Sequence, residues 1–369
     1  MRQRVVVGML DGFGWDYWER SEMPNLRRLA AAGSVSPGKA VFPTLTNVNN
    51  VSIACGCWPD RHGVATNCYF CPESGTAKFL EDSSFLRCPT LFSRASAAGV
   101  KSALLTCKGK TLGILGPDVE LGLAAETLSG NLLARFRPPP PMYSADINYW
   151  LWDCAVDILR HRPDIGFVYV HTTDYPMHRW APDAPESLEH LRRLDEAIGE
   201  TVDAAPDAAL LITADHGMNP KAKCIDLARF CSARGKPIRF AVSPVADRLL
   251  AHHGGHGGVS YIYLERPGDA DAVGALLRSV PGVEAAWTSA EAAARFHLPA
   301  ECLGDLVAAA DKNTVFGTLD GEEQALAGDY RNHGSLHEVD IPLIAYNLRR
   351  PERILEKALY NFELTSRLF

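Results

Sequence analysis

Apolar runs that stop at aspartates set the frame of this chain. VVVGML (5–10) is followed at once by Asp11, ALLITA (209–214) by Asp215, and GFVYVH (166–171) leads through two threonines to Asp174. Helix-like stretches such as MPNLRRLAAAG (23–33) and SLEHLRRLDEAIGETVDA (187–204) separate them. That alternation predicts an α/β fold, a mainly parallel central sheet sandwiched by helices. SALLT (102–106) and IPLIAYN (341–347) read as further core strands. Ligands on such sheets sit outside the carboxyl ends of the strands, so the pattern alone brings the three carboxylates to one rim.

With 369 residues, 47% of them hydrophobic, the chain can bury a large core and carry a second, smaller unit. From 240 to 328 the texture changes to short segments, VSYIYLER, AVGALLRSV, VEAAWTS and LGDLVAAA, broken by Gly, Pro and polar residues. This predicts a compact α+β cap at 240–328 inserted into a core made of 1–239 and 329–369. RFRPPPPMY (135–143) is expected to be a stiff loop, because successive prolines forbid helix and central strand.

The formal charge of −7 argues against a general binder of nucleic-acid polymers, which needs a basic face. No apolar stretch reaches the length of about 18 residues that a membrane span needs. The opening MRQRVVVGMLDGFG reads as a first core strand rather than a signal peptide, since its apolar run stops at Asp11 without a small-residue cleavage site. The ten cysteines are accordingly expected to be thiols of a cytoplasmic protein. Self-association as a homodimer stays open.

Three segments carry metal-ligand chemistry. In DYPMH, Asp174 and His178 stand four apart, on one face of a helical turn. Asp215 and His216 follow a β-run and precede Gly217, a break that exposes both at the sheet edge. His333, before Gly334 and ahead of the last strand, is chosen as a further ligand over its neighbour His337. HHGGHGG (252–258), with His252, His253 and His256, reads as a loop over the site rather than a ligand set. With Asp11, the carboxylates and imidazoles are enough to close two zinc sites, each with an open position, as in a two-metal hydrolase.

The nucleophile is expected in PTLTNVNNVSI (43–53), where a threonine hydroxyl at a helix start faces an incoming anion among backbone N–H groups. Thr44 and Thr46 are both candidates; one of them is expected simply to cap the helix.

Asp11 after the first strand, FPTLTNVNN, WPDRHGVATN, the D-x-x-x-H of Asp174 and His178, DHG and the late HG together resemble the alkaline phosphatase superfamily, in its nucleotide pyrophosphatase/phosphodiesterase branch. The resemblance implies Thr46 as nucleophile and Asn67 as hydrogen-bond donor to the phosphoryl oxygen. It implies one zinc on Asp174, His178 and His333, and another on Asp11, Asp215, His216 and the Thr46 oxygen. Nucleotide-cleaving members carry Phe-Pro-Asn-His where this chain has Asn47-Val48-Asn49-Asn50, so a ring that helps sandwich a base is missing here. T-N-x-N-N-x-S-I at Thr46–Ile53 and T-x-K-x-K at TCKGK instead resemble the phosphonoacetate hydrolase family. The resemblance implies a small anionic phosphonate or phosphate ester as substrate, Lys108 and Lys110 as the residues that bind the substrate carboxylate, and C–P cleavage through a phosphothreonine as the reaction. The alternative on the same scaffold is a phosphodiesterase, nucleotide pyrophosphatase or phosphomonoesterase. A rival of another class would use Cys55, Cys57, Cys68 and Cys71 as a structural zinc site; Cys55 and Cys57 are expected behind Thr46 in its helix, which disfavours it.

Overall fold

The computed structural model describes residues 3–71, 73–248, 254–349 and 358–369. Its main sheet has seven strands: β1 (Val5–Met9), β2 (Ser34–Lys39), β3 (Lys101–Thr106), β4 (Leu121–Ala124), β5 (Ile165–His171), β6 (Ala209–Thr213) and β7 (Asp340–Tyr346), in the spatial order β2-β7-β6-β1-β5-β3-β4. Neighbours from β6 through β4 are parallel. β7, the IPLIAYN run, is antiparallel to both β6 and β2. β2, SVSPGK, carries no strand-like pattern; its Pro37 and Gly38 are tolerated because it is an edge strand.

Helices cover both faces: α1 (Pro24–Ala32), α2 (Thr46–Cys55), α3 (Gly109–Leu115), α4 (Asp146–His161), α5 (Tyr175–Arg179) and α6 (Pro185–Ala204). Val6, Val168 and Ile212 pack with Leu26 of α1, Trp150 and Trp152 of α4 and Leu191 and Leu194 of α6. The alternate residues Val5, Val7, Phe167, Tyr169 and Leu211 pack on the other side with Val51 and Ile53 of α2 and Ile114 and Leu115 of α3. Two-sided burial explains why β1 and β6 read as unbroken apolar runs rather than alternating ones. Each fully buried side chain of this size contributes about 2 kcal/mol. Trp152 lies so close over Gly8 that an added Cβ would meet its ring at 2.8 Å and Ile212 at 2.5 Å, so any larger residue there would displace α4.

A second, antiparallel sheet is built from Ile238–Val242, Val259–Leu264, Leu306–Ala310 and Val283–Thr288 in that order. Most of it falls within 240–328. Lys223–Ile225, from the preceding core segment, pairs with Thr314–Phe316 and Glu323–Ala325 in a small third sheet. Within the Pro-rich segment, Pro138–Pro141 belong to no regular element, and the carbonyl of the preceding Arg137 accepts the Trp150 indole N–H at 2.9 Å. No helix among the described residues is long and apolar enough to cross a membrane.

The register is what positions the site. Met9 is level with His171 and with Thr213, and His171 is level with Thr106. The residues that follow these four strand ends, Asp11, Asp174, Asp215 and Lys108, therefore emerge on the same rim.

Candidate active site

The carboxylates are held by the turns that follow the strands. Asp11 donates its backbone N–H to Thr172 Oγ1 at 2.9 Å. Gly12 then turns the chain at a φ of 75°, and a Cβ there would lie 3.0 Å from the Asp174 Cβ. The Gly12 and His216 N–H groups both donate to Asp215 Oδ1, each at 3.0 Å, which leaves Oδ2 to face the centre. Asp174 sits just ahead of α5, and His178, one turn on, brings Nε2 to 2.9 Å from Asp174 Oδ2.

The imidazoles are oriented by backbone carbonyls. His178 Nδ1 meets Arg331 O at 2.8 Å, His216 Nδ1 meets Gly217 O at 3.0 Å, and His333 Nδ1 meets Thr44 O at 2.6 Å. A carbonyl can only accept, so each neutral ring carries its proton on Nδ1 and turns the Nε2 lone pair to the cluster. His333 Nε2 lies 3.6 Å from Asp174 Oδ2, and His216 Nε2 lies 3.3 Å from Asp215 Oδ2 and 3.5 Å from Asp11 Oδ1. Gly334, at a φ of 110°, lets the His333 turn approach Gly258, whose N a Cβ would strike at 2.8 Å.

Burial pushes the Asp11 carboxyl up to about 7, with the Asp174 and Asp215 charges adding to it, and burial pushes Asp215 up to about 6. Burial, and then the adjacent His216, holds His333 well below the ordinary imidazole range. Asp11 Oδ1, Asp215 Oδ2 and His216 Nε2 are buried and make no hydrogen bond among the described residues. Crowded carboxylates and outward-facing lone pairs without protons between them fit a cation. Two groups have ligand atoms within 4.8 Å of one another: Asp174, His216 and His333, and Asp11, Asp215 and His216. His216 thus stands between the two expected ligand sets, while His178 is drawn against Asp174 instead of completing the tight group with His333.

Behind Asp11 runs a chain of hydrogen bonds that the sequence did not announce. Tyr169 OH donates to Asn50 Oδ1 at 2.6 Å, Asn50 Nδ2 faces His171 Nδ1 at 3.2 Å, and His171 Nε2 faces Asp11 Oδ2 at 3.3 Å. The tyrosine fixes the amide, the amide makes Nδ1 an acceptor, and His171 therefore donates Nε2–H to Asp11. Asn49 instead fixes the loop before α2, since its Oδ1 accepts from Val41 N at 2.7 Å and its Nδ2 donates to Val41 O at 2.9 Å. Of the asparagines in TNVNN, these two support the site rather than line it. Glu338 is a second unannounced support. Its carboxylate accepts from Lys221 Nζ at 2.8 Å and from Ser335 N and Oγ at 2.9 and 2.7 Å, while its carbonyl accepts from Gly217 N at 2.7 Å. It joins the DHG and HGS turns.

The two threonines separate cleanly. Thr44 Oγ1 donates to Ser335 O at 2.9 Å and accepts from Gly334 N at 3.0 Å, so its hydroxyl is committed to the His333 turn. Thr46 is the first residue of α2, buried at 4% exposure, with no such commitment among the hydrogen bonds of the described residues. Asn67 Oδ1 accepts the Asn47 N–H at 3.1 Å and its Nδ2 donates to Val245 O at 3.1 Å. The Asn47 amide at the start of α2 is therefore taken by Asn67, and one Asn67 N–H remains beyond its bond to Val245.

Lys108 precedes α3 and Lys110 lies in its first turn; Lys108 is buried, and Lys110 nearly so, with 9% of its side chain exposed. Burial alone would lower the Lys108 ammonium, but the carboxylates of Asp247, Asp174 and Asp11 outweigh it and hold it above its ordinary value. Lys110 Nζ is 2.7 Å from Asp247 Oδ2. His337 is away from the cluster, paired with Glu284 at a half-exposed position. His256 lines a separate cavity of about 450 Å³ with Arg239, Ser243 and Thr318. His252 and His253 lie outside the described residues. The four-cysteine site does not form: Cys57 Sγ faces Cys88 Sγ at 3.6 Å, and Cys71 Sγ bonds to Glu73 at 3.0 Å.

Known proteins resemble this chain in differing degree. Phosphonoacetate hydrolase from Sinorhizobium meliloti 1021, solved in complex with phosphonoacetate and with phosphonoformate, has 30% identity to this chain, with TM-scores of 0.89 and 0.88 covering 99% of this chain and 95% of that one. Murine ectonucleotide pyrophosphatase/phosphodiesterase 5 shares the fold at 19% identity and a TM-score of 0.72, covering 99% of this chain and 94% of that one. An uncharacterized pyrophosphatase/phosphodiesterase of Schizosaccharomyces pombe is 26% identical over 223 residues, 58% of this chain and 45% of the relative. Venom phosphodiesterase 2 of Crotalus adamanteus is 26% identical over 230 residues, 58% of this chain and 26% of the relative. The chain thus matches less than half the length of these two relatives. The family model for type I phosphodiesterase / nucleotide pyrophosphatase matches residues 5–336, a span that takes in every clustered carboxylate and imidazole. On that match the chain belongs to the type I phosphodiesterase/nucleotide pyrophosphatase family of the alkaline phosphatase superfamily.

Proposed function

We propose that this protein hydrolyses the C–P bond of phosphonoacetate, giving acetate and phosphate through a phosphothreonine on Thr46. The observation that carries the reading is a pair of ammoniums, the buried Lys108 and the nearly buried Lys110, on the same rim as the carboxylate and imidazole cluster. An ester hydrolase needs no cation pair there, whereas a substrate carboxylate does. The likeness to a phosphonoacetate hydrolase solved with that compound supports it.

In this reading Asp174, His178 and His333 would hold one zinc, and Asp11, Asp215, His216 and the Thr46 oxygen the other. Zinc, when bound, neutralises phosphonate charge and acidifies hydroxyl and water. The Thr46 oxygen forms the new P–O bond and the P–C bond breaks. Its electron pair enters the adjacent carboxylate as an enediolate-like acetate, which Lys108 and Lys110 stabilise before carbon takes a proton from water. Asn67 donates to a phosphoryl oxygen as charge builds on it. Water then replaces the Thr46 oxygen on phosphorus, releasing phosphate. The 240–328 segment, through Val245 and Asp247, closes one side of the pocket.

A phosphodiesterase or phosphomonoesterase is the second reading, favoured by the family match alone. Phosphate release from phosphonoacetate by the zinc-loaded protein, run beside p-nitrophenyl phosphate, bis-p-nitrophenyl phosphate and a nucleotide diester, separates them. Release from phosphonoacetate is the expected result; turnover of an ester with none from phosphonoacetate would replace the substrate and keep the site.

A further inference from the structure

Asp247 belongs to a loop of the cap that is clamped onto the core at two points. Pro244 O accepts the Asn67 N–H at 2.9 Å, and Val245 O accepts Asn67 Nδ2 at 3.1 Å. Two residues on, Asp247 Oδ2 meets Lys110 Nζ at 2.7 Å, with only 4% and 9% of the two side chains exposed. One short loop therefore touches both Asn67, assigned to the phosphoryl end of the substrate, and Lys110, assigned to its carboxylate end.

The pairing answers a physical difficulty. Lys108 and Lys110 are two buried like charges one residue apart, each removed from water and each raising the cost of the other's charge. Burial acts most strongly on Lys110 and lowers it; Asp247 pulls it back up, and Lys108 pushes it down again. Among the described residues, the charged or titratable groups facing this pair are Asp247 from the cap side, Cys107 just after β3, His171 and Asp11 from β5 and the turn after β1, and Asp174 beyond them. An ammonium has three N–H donors, so a bond to Asp247 fixes the Lys110 head and still leaves donors for a ligand.

We propose that Asp247 is a positioning residue that holds the Lys110 head in place for the carboxylate of the substrate. This rests on the phosphonoacetate reading; Asp247 acts mainly through Lys110, the head it bonds, while its charge also favours the Lys108 ammonium.

The test is calorimetric titration of phosphonoacetate into the zinc-loaded Thr46→Ala protein, in which the compound binds without turnover, with Asp247→Asn, Lys110→Ala and both together added to that background. Asp247→Asn is expected to weaken binding about tenfold or more, and to add much less in the Lys110→Ala background, because most of its effect passes through the Lys110 head. In otherwise wild-type protein, Asp247→Asn should leave the zinc stoichiometry unchanged, which a folding defect would not. Unchanged phosphonoacetate affinity, or an equal loss with and without Lys110, overturns the proposal. Binding with this coupling but no phosphate release from phosphonoacetate by the wild-type enzyme would instead overturn the reaction and keep Asp247 in its role.

Discussion

The imidazole rings of His216 and His333 are stacked, 3.6 Å between centroids and 12° from parallel. Each is pinned at Nδ1 by a carbonyl from a different turn, Gly217 and Thr44, so the stack locks the DHG turn to the HG turn and turns both Nε2 atoms the same way. Neutral rings can stack this closely; two imidazolium ions would repel. Burial keeps both from protonating.

That arrangement predicts proton release on metal binding. In the metal-free site Asp11 holds its proton up to about pH 7 and Asp215 up to about pH 6, while the lowered imidazoles are already neutral. A cation must displace those carboxyl protons, so zinc affinity should climb from about pH 6 to about pH 8 and then level off. The sign for stability is the reverse in the metal-free protein: both carboxyls are raised, so their contribution is present at low pH and lost as pH rises through about 6 to 7, and zinc restores it. Titration calorimetry in buffers of different ionisation enthalpy reads the protons directly. Zinc uptake at about pH 6 without proton release would refute the assignment of these carboxylates as ligands.

His171 is expected to tune the metal without touching it. Its Nε2–H bond orients Asp11, and Asn50 and Tyr169 orient His171 in turn. Supports of this kind are typically worth about 10- to 100-fold in metal affinity, so His171→Ala and Asn50→Leu should each weaken zinc binding by roughly that factor. Competition against a chromophoric chelator measures it; affinity equal to wild type in both variants would show the relay to be structural packing only.

What could be read in the sequence follows from how local the cause was. Asp11, Asp174 and Asp215 were legible because each follows its own apolar run, and the sheet register does the rest. His178 was legible from its spacing to Asp174. Thr44 and Thr46 were not separable, since what commits Thr44 is the turn at Gly334 and Ser335, far along the chain. His171 and Asn50 lay inside quoted motifs, yet nothing local says that one orients the other across the sheet. Asp247 and Glu338 had no local signal at all: their lysine partners lie 137 and 117 residues away. α4 went unread because it carries Trp, Tyr and Cys in place of the usual helix formers, and its place is decided by packing on Gly8.

The Lys221–Glu338 pair is fully buried, and the lysine holds the Glu338 carboxyl below its ordinary range against the opposing effect of burial. Removing one partner leaves the other charge unpaired, and Glu338→Ala should cost about 3–5 kcal/mol of stability. Because the carboxyl is lowered, its contribution is present above the ordinary glutamate range and lost as pH falls through the lowered value. Replacing both, Lys221→Met with Glu338→Leu, should cost less than Glu338→Ala alone. Denaturant unfolding of the metal-loaded proteins compares them; a double variant no more stable than the single one would mean that Ser335 and Asn219, not the ion pair, carry the effect.

Thr46 and Lys108 should fail differently. Thr46→Ala removes the atom that attacks phosphorus and should abolish turnover of every substrate while zinc stays bound, since five carboxylate and imidazole groups of the cluster remain in the two tight sets. Lys108→Ala removes a donor that matters only where charge develops on the leaving group's carboxylate. The loss of one such donor costs about 3 kcal/mol, roughly a hundredfold in rate. That penalty should fall on phosphonoacetate, whose carbon leaves only by placing charge on its carboxylate, and hardly at all on an aryl phosphate, whose phenolate leaves unaided. Equal losses on the two substrates would mean that Lys108, held among Asp11, Asp174 and Asp247, acts by balancing the charge of the metal site itself rather than by meeting the substrate.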